Sequence, residues 1–311
     1  MRVRFAGIEL RNPILAASGT FGYGIEFEEI VSLDRIGGLV TKGLSREPMD
    51  GNPAPRLIET ASGMLNSIGL QNIGVQAFIE SKLPQLAKYR GCAVIANVFG
   101  YTVKDYVAVI QALNAAEGIA AYEVNASCPN TKHGGQVFGT DMVELATLVF
   151  AAKEVAQKRP NSRPVIVKLS PNVTSIAEMA AVAEQAGADG LSLVNTFLAM
   201  GIDAKTRRPR IANVTAGLSG PAIKPIALRM VYEAAKAVKI PILGLGGIVV
   251  AEDAVEFLLA GATAVQVGTA SYADPRAVER LAKGLEQWCV KHDVDKVASL
   301  TGGLEVAPTA N

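Results

Sequence analysis

Short apolar runs alternate along the chain with longer segments whose apolar residues recur at helical spacing. The strand-like runs fall at 13–17 (PILAA), 38–41 (GLVT), 93–97 (AVIAN), 121–124 (AYEV), 165–169 (VIVKL), 190–194 (GLSLV), 241–244 (PILG) and 264–267 (AVQV). Helix-length segments separate them, among them 102–116, 141–158, 174–186, 223–238, 251–260 and 275–290. This alternation predicts a parallel sheet with crossover helices. Several strands are almost wholly apolar, as expected when both faces of a sheet are covered. Eight strands with following helices predict an α/β protein of the (β/α)8 TIM-barrel class, with an open doubly wound sheet as the alternative. Residues 2–10 (RVRFAGIEL) add a short N-terminal β-hairpin turning at Ala6-Gly7.

A length of 311 residues would suggest two domains at ~150 residues each, but a (β/α)8 barrel takes about 250 residues as one domain. No low-complexity or linker-like stretch interrupts the pattern, so residues 1–311 are expected to form a single barrel domain. AGADGLSLVNT (186–196) echoes AGATAVQVGTA (260–270), but glycine at helix ends before a strand accounts for it. The long connections are 43–72, 125–140 and 196–222. In a barrel, the segments that follow strands build the active site.

Charge narrows the function classes. Thirty Lys and Arg against 29 Asp and Glu leave a net charge of +1, without the basic footprint of a general nucleic-acid binder. No apolar run reaches the ~18 residues of a membrane span, and MRVRFAGIELRNP carries no signal-peptide pattern. Cys92, Cys128 and Cys289 show no CxxC spacing and leave one thiol over in any disulfide scheme. A reduced, cytoplasmic protein is expected, bound neither to nucleic acid nor to membrane.

The residues just past the strands carry the chemistry: Ser18, Lys42, Asn97, Asn125, Lys168, Asn195, then Gly246-Gly247 and Gly268-Thr269. Amines and amides aimed into a barrel mouth need polar partners, and their recurrence there is more than loop composition explains. Glycine turns after the seventh and eighth strands are where barrels commonly bind phosphate through backbone N–H groups. GTFGYG (19–24) has the wrong spacing for a dinucleotide fingerprint. Lys168 within VIVKLS and Lys42 after LVT could be Schiff-base nucleophiles, phosphate clamps, cations beside developing negative charge, or partners in structural ion pairs.

Cys128 lies in NASCPN (125–130), a loop fixed by Pro129 at the catalytic face. A thiol there can act as nucleophile or general base, whereas Cys92 and Cys289 read as small apolar filler. His133 reads as a loop surface residue, and two histidines in all exclude a His-rich metal site. No metal constellation is found. Asn66, Asn125, Asn130 and Asn195 with Thr196 would suit a planar ligand with alternating C=O and N–H groups, such as a pyrimidine, since each amide donates and accepts. Taken singly, each Asn is as well explained by turn preference.

At these residues the sequence resembles the class 1 dihydroorotate dehydrogenases over nearly its whole length, in NPILAASGTFGYG, GNPAPRLIET, GMLNSIGLQN, NASCPN, VKLSPN, LVNT, GLSGPAIKP, GLGGI and VGTA. GMLNSIGLQN and GLSGPAIKP are most similar to the 1B catalytic subunits. Ala216 stands where many members have Gly, with no catalytic consequence. The resemblance implies oxidation of (S)-dihydroorotate to orotate in pyrimidine biosynthesis, on one non-covalent FMN per chain. Cys128 would remove the C5 proton, and the C6 hydrogen would leave as hydride to the flavin.

Lys42, Asn66, Ser67, Ile68, Gly69, Leu70, Asn125, Asn130, Asn195 and Thr196 would hold the substrate. Ser18, Lys42, Gly43, Asn97, Asn125, Lys168, Val194, Gly220, Gly246, Gly247, Gly268 and Thr269 would hold FMN, with Lys168 stabilising the charge of the reduced flavin. The resemblance further implies a partner subunit carrying FAD and a [2Fe–2S] cluster, which passes electrons to NAD⁺, in a heterotetramer built on a homodimeric core. Three scattered cysteines cannot hold such a cluster in this chain. Two alternatives stay open: another FMN barrel, like the flavin domain of dihydropyrimidine dehydrogenases, and a non-redox phosphate-binding barrel using Lys168 as a Schiff base.

Overall fold

The computed structural model describes residues 1–127, 138–160 and 162–306. Eight strands close into a parallel barrel: β1 (Ile14–Ala16), β2 (Gly38–Val40), β3 (Ala93–Val98), β4 (Ala121–Asn125), β5 (Val165–Lys168), β6 (Gly190–Leu193), β7 (Ile242–Leu245) and β8 (Ala264–Val267). Neighbours in sequence are neighbours in space, and Val267 of β8 pairs with Ala16 of β1 to complete the circle. The open-sheet alternative is thereby excluded. From β4 to β8, every strand residue is buried, because side chains fill the barrel on one face and helices cover the other.

The hairpin pairs Val3–Phe5 with Ile8–Leu10. Ala6 and Gly7 both have positive φ, the conformation that lets a two-residue turn match the twist of its strands. Phe5, fully buried, sits against Gly190 at the start of β6, so the hairpin covers the N-terminal end of the barrel.

Six longer helices follow β3 to β8: α1 (Val103–Asn114), α2 (Met142–Ala156), α3 (Ile176–Gln185), α4 (Lys224–Ala237), α5 (Ala251–Leu259) and α6 (Ala277–Lys291). The side chains of Thr102, Asp141 and Ser175 accept backbone N–H groups from the first turns of α1, α2 and α3, which satisfies donors that a helix start leaves unpaired. Among the described residues no helix is long and apolar enough to cross a membrane.

The expected regularity of one helix per strand fails early in the chain. After β1 come only two 3₁₀ turns, Ile25–Phe27 and Leu33–Arg35. The helix before β3 is broken into Val75–Ala77, a π turn at Phe78–Lys82, and Leu83–Leu86. Pro84, at the start of its last piece, has no N–H to continue the ladder.

The larger difference lies in the long connections. Parts of 43–72 and 196–222 pair as a four-stranded antiparallel sheet, in the order Phe197–Met200, Thr215–Ser219, Gly63–Asn66, Leu57–Thr60. Leu65, Ile211 and Ala216 form its small separate core. This sheet stands over the C-terminal end of the barrel and turns two connections into one rigid wall.

Candidate active site

A cavity of about 320 Å³ opens between the C-terminal ends of the strands and the antiparallel sheet. It is lined by every described residue that the sequence pointed to. The strand ends supply Ser18, Lys42, Gly43, Asn97, Asn125, Lys168, Val194, Asn195 and Thr196. The 43–72 connection supplies Asn66, Ser67, Ile68, Gly69 and Leu70, and the remaining turns supply Gly220, Gly246, Gly247, Gly268 and Thr269. Cys128 and Asn130 lie outside the described residues.

The wall is fixed to the barrel at two points. Asn66 pairs with Gly217 across the sheet and donates from Nδ2 to its carbonyl at 3.3 Å. A Cβ on Gly217 would lie 2.1 Å from Thr196 Oγ1, so only glycine lets Thr196 pack there. At the opposite side Thr269, after β8, donates to Ser219 Oγ at 2.8 Å.

The glycine turns form a cradle. Gly247 has φ +76°, and a Cβ there would meet the Gly220 carbonyl and Lys224 at 2.8 Å. A Cβ on Gly268 would meet Ala17 and Thr20 only at ordinary contact distance, 3.6 Å or more. Backbone brought this close to an open cavity is the form in which barrels hold phosphate.

The amides are held in place. Ser127 Oγ donates to Asn125 Oδ1 at 2.7 Å and accepts from Asn195 Nδ2 at 2.6 Å. Asn195 Oδ1 in turn accepts the Thr196 N–H at 2.8 Å. Each amide keeps unused donor and acceptor capacity for a ligand.

Two cations face the cavity. Burial lowers the pKa of Lys42 below the ordinary lysine value, and the positive charge of Arg56 adds to the effect. Lys168 has an ion-pair partner, Glu123, whose Oε1 lies 3.9 Å from Nζ. The two remaining cysteines described are both buried. Burial pushes the Cys92 thiol up to about 12, and raises that of Cys289 as well, as befits inert filler.

The sequence reading missed a layer at the base of the cavity: Glu123, Ser192 and Gln266, inside β4, β6 and β8. Each is a lone polar residue within an apolar strand run. That pattern is itself the signal, since a polar side chain inside a barrel covered on both faces must be hydrogen-bonded.

The fold and site define a (β/α)8-barrel enzyme whose cavity joins a glycine cradle to a row of amides and two lysines. The chain belongs to the dihydroorotate dehydrogenase family, whose model matches residues 1–288. It is 55% identical over 305 residues to a Trichlorobacter lovleyi protein named dihydroorotate dehydrogenase B (NAD(+)), catalytic subunit, covering 98% of each chain. A Citrifermentans bemidjiense protein of the same name is 55% identical over 308 residues, again with 98% of each covered. A Solibacter usitatus protein, provisionally named dihydroorotate dehydrogenase A (fumarate), is 59% identical over 299 residues, with 96% of each covered.

Proposed function

We propose that this chain oxidises (S)-dihydroorotate to orotate with FMN in the barrel cavity, and that Cys128 is its base. The observation that carries this reading is the convergence of the glycine cradle, Lys168 and the Asn66–Asn125–Asn195 amides on one cavity. The residues suit the flavin. Asn97 Oδ1 and Gln266 Oε1 are buried acceptors with no partner among the described residues. Gly246, Gly247, Gly268 and Thr269 present backbone to a phosphate. Ser18, Gly43, Val194 and Gly220 line the space between.

FMN, when bound, would supply the acceptor for the hydride lost from C6 as the C5–C6 double bond forms. The chain does the rest. Lys42 binds the substrate carboxylate, and Asn66, Asn125, Asn130, Asn195 and Thr196 orient its ring, with Ser67–Leu70 covering it. Cys128 takes the C5 proton in this reading. Lys168 offsets the negative charge left when the cofactor is reduced. A site closed by the antiparallel sheet excludes water while this happens.

The relatives' names bear on the final acceptor. Several share the name of an NAD(+)-linked catalytic subunit, which favours an electron-transfer partner bearing FAD and a [2Fe–2S] cluster, joined to a homodimer of this chain in a heterotetramer. The Solibacter usitatus relative favours fumarate instead. Turnover of the single chain with dihydroorotate distinguishes them. The first reading expects poor use of NAD⁺ and of fumarate until the partner is added. Rapid fumarate reduction by the chain alone favours the second.

A further inference from the structure

Glu123 lies in the middle of β4 with no exposed surface, and side chains from four other barrel strands surround it. Asn97 of β3 donates from Nδ2 to Oε1 at 2.6 Å. Ser192 of β6 and Gln266 of β8 donate to Oε2, each at 2.7 Å. Lys168 of β5 stands 3.9 Å from Oε1. That separation is too long for a hydrogen bond, so the carboxyl group faces the lysine charge without occupying its N–H donors.

Two consequences follow for the cavity above. Both amide nitrogens point down to Glu123, so both amide oxygens, Asn97 Oδ1 and Gln266 Oε1, are left as the partnerless acceptors. These two residues and Lys168 line the cavity floor. The floor therefore offers two acceptors and one cation, in a pattern fixed from below by one acid. A charge held among neutral donors in a buried site acts over short distances with little screening.

We propose that Glu123 is a positioning residue that sets the redox poise of the flavin, by orienting the Asn97 and Gln266 amides and by partly offsetting the charge of Lys168. This rests on the reading that FMN occupies the cavity. Lys168 alone would favour the anionic reduced cofactor strongly. The acid beneath it moderates that preference, keeping the flavin able to pass its electrons on.

The test is the two-electron midpoint potential of bound FMN, with the dissociation constant for oxidised FMN measured beside it. Glu123→Gln keeps the shape and removes the charge. It is expected to favour reduced over oxidised FMN about tenfold more than wild type does, a positive shift of ~30 mV for a two-electron couple. Glu123→Asp, which keeps the charge, should return the potential toward wild type. Ser192→Ala removes a neutral donor whose dipole shields the carboxylate and should shift the potential the opposite way. It also stands as the deciding variant if Glu123→Gln does not fold.

Potentials equal to wild type in FMN-loaded Glu123→Gln, or in Ser192→Ala if only that folds, overturn the proposal. A wild-type chain that takes up no FMN overturns the underlying reading instead.

Discussion

Asn195 and Ser127 are joined by a hydrogen bond of 2.6 Å between Nδ2 and Oγ, and Ser127 passes it on to Asn125. One hydroxyl thus sets two cavity-facing amides, from β4 and from the segment after β6, in a single geometry. Ser127 also directly precedes Cys128. Ser127→Ala leaves each amide short of a partner at a buried position, and a lost buried hydrogen bond costs about 1–2 kcal/mol. Orotate affinity, read from its perturbation of the flavin spectrum, should fall by ~5–30-fold while FMN stays bound. Unchanged orotate affinity would remove Ser127 from the site.

The glycine cradle separates a fold effect from a ligand effect. Gly268 has room for a methyl group against the protein, its nearest neighbours being Ala17 and Thr20. Gly268→Ala should therefore leave the unfolding free energy of the FMN-free chain within ~0.5 kcal/mol while weakening FMN at least about tenfold, the cost of ~1.4 kcal/mol. Gly247→Ala meets backbone and a positive φ, so it should lower stability itself by ~1–3 kcal/mol. Thermal melts with and without FMN read both.

How far the sequence carried is clearest in these elements. The strand ends could be read because a polar residue after an apolar run is visible locally, and Lys42, Asn97, Asn125, Lys168 and Asn195 do meet at one cavity. The antiparallel sheet could not be read, because LIET sets its two apolar residues side by side and TAGLS carries a glycine at its centre, which weakens a strand signal. The pairing that joins the two connections, Asn66 of GMLN with Gly217 of TAGLS, spans 151 residues of sequence. Glu123, Ser192 and Gln266 were in plain view as polar intruders in apolar strands, but only the closed barrel shows that their side chains converge.

With Lys42 on the substrate carboxylate, as proposed, substrate binding should depend on pH. The lysine's pKa is lowered first by burial and then by Arg56, and an anionic ligand beside it favours the charged form. Binding of orotate should then take up protons, and weaken as pH rises through the lowered lysine value. Lys42→Met should lose most of this dependence and bind orotate ~10–100-fold more weakly, the range for a hydrogen bond to a charged group. Orotate titrations at a series of pH values check it, and a pH profile shared by wild type and variant would contradict it.

Thiol chemistry should single out Cys128. Cys92, pushed up to about 12 by burial, and Cys289, raised likewise, hold almost no thiolate near neutrality. Iodoacetamide on the native protein should label Cys128 first, with orotate protecting it. Peptide mapping that finds Cys92 modified at an equal rate would undo the assignment.

The central claim meets its most direct test in one anaerobic stopped-flow experiment on the FMN-loaded chain, following visible flavin absorbance after mixing with dihydroorotate. The account predicts bleaching by dihydroorotate and none by dihydrouracil, with the rate rising toward alkaline pH and falling ~10²–10⁴-fold in Cys128→Ala. A chain that takes up no FMN, a flavin that dihydroorotate leaves oxidised, or a Cys128→Ala variant bleached at the wild-type rate would contradict it.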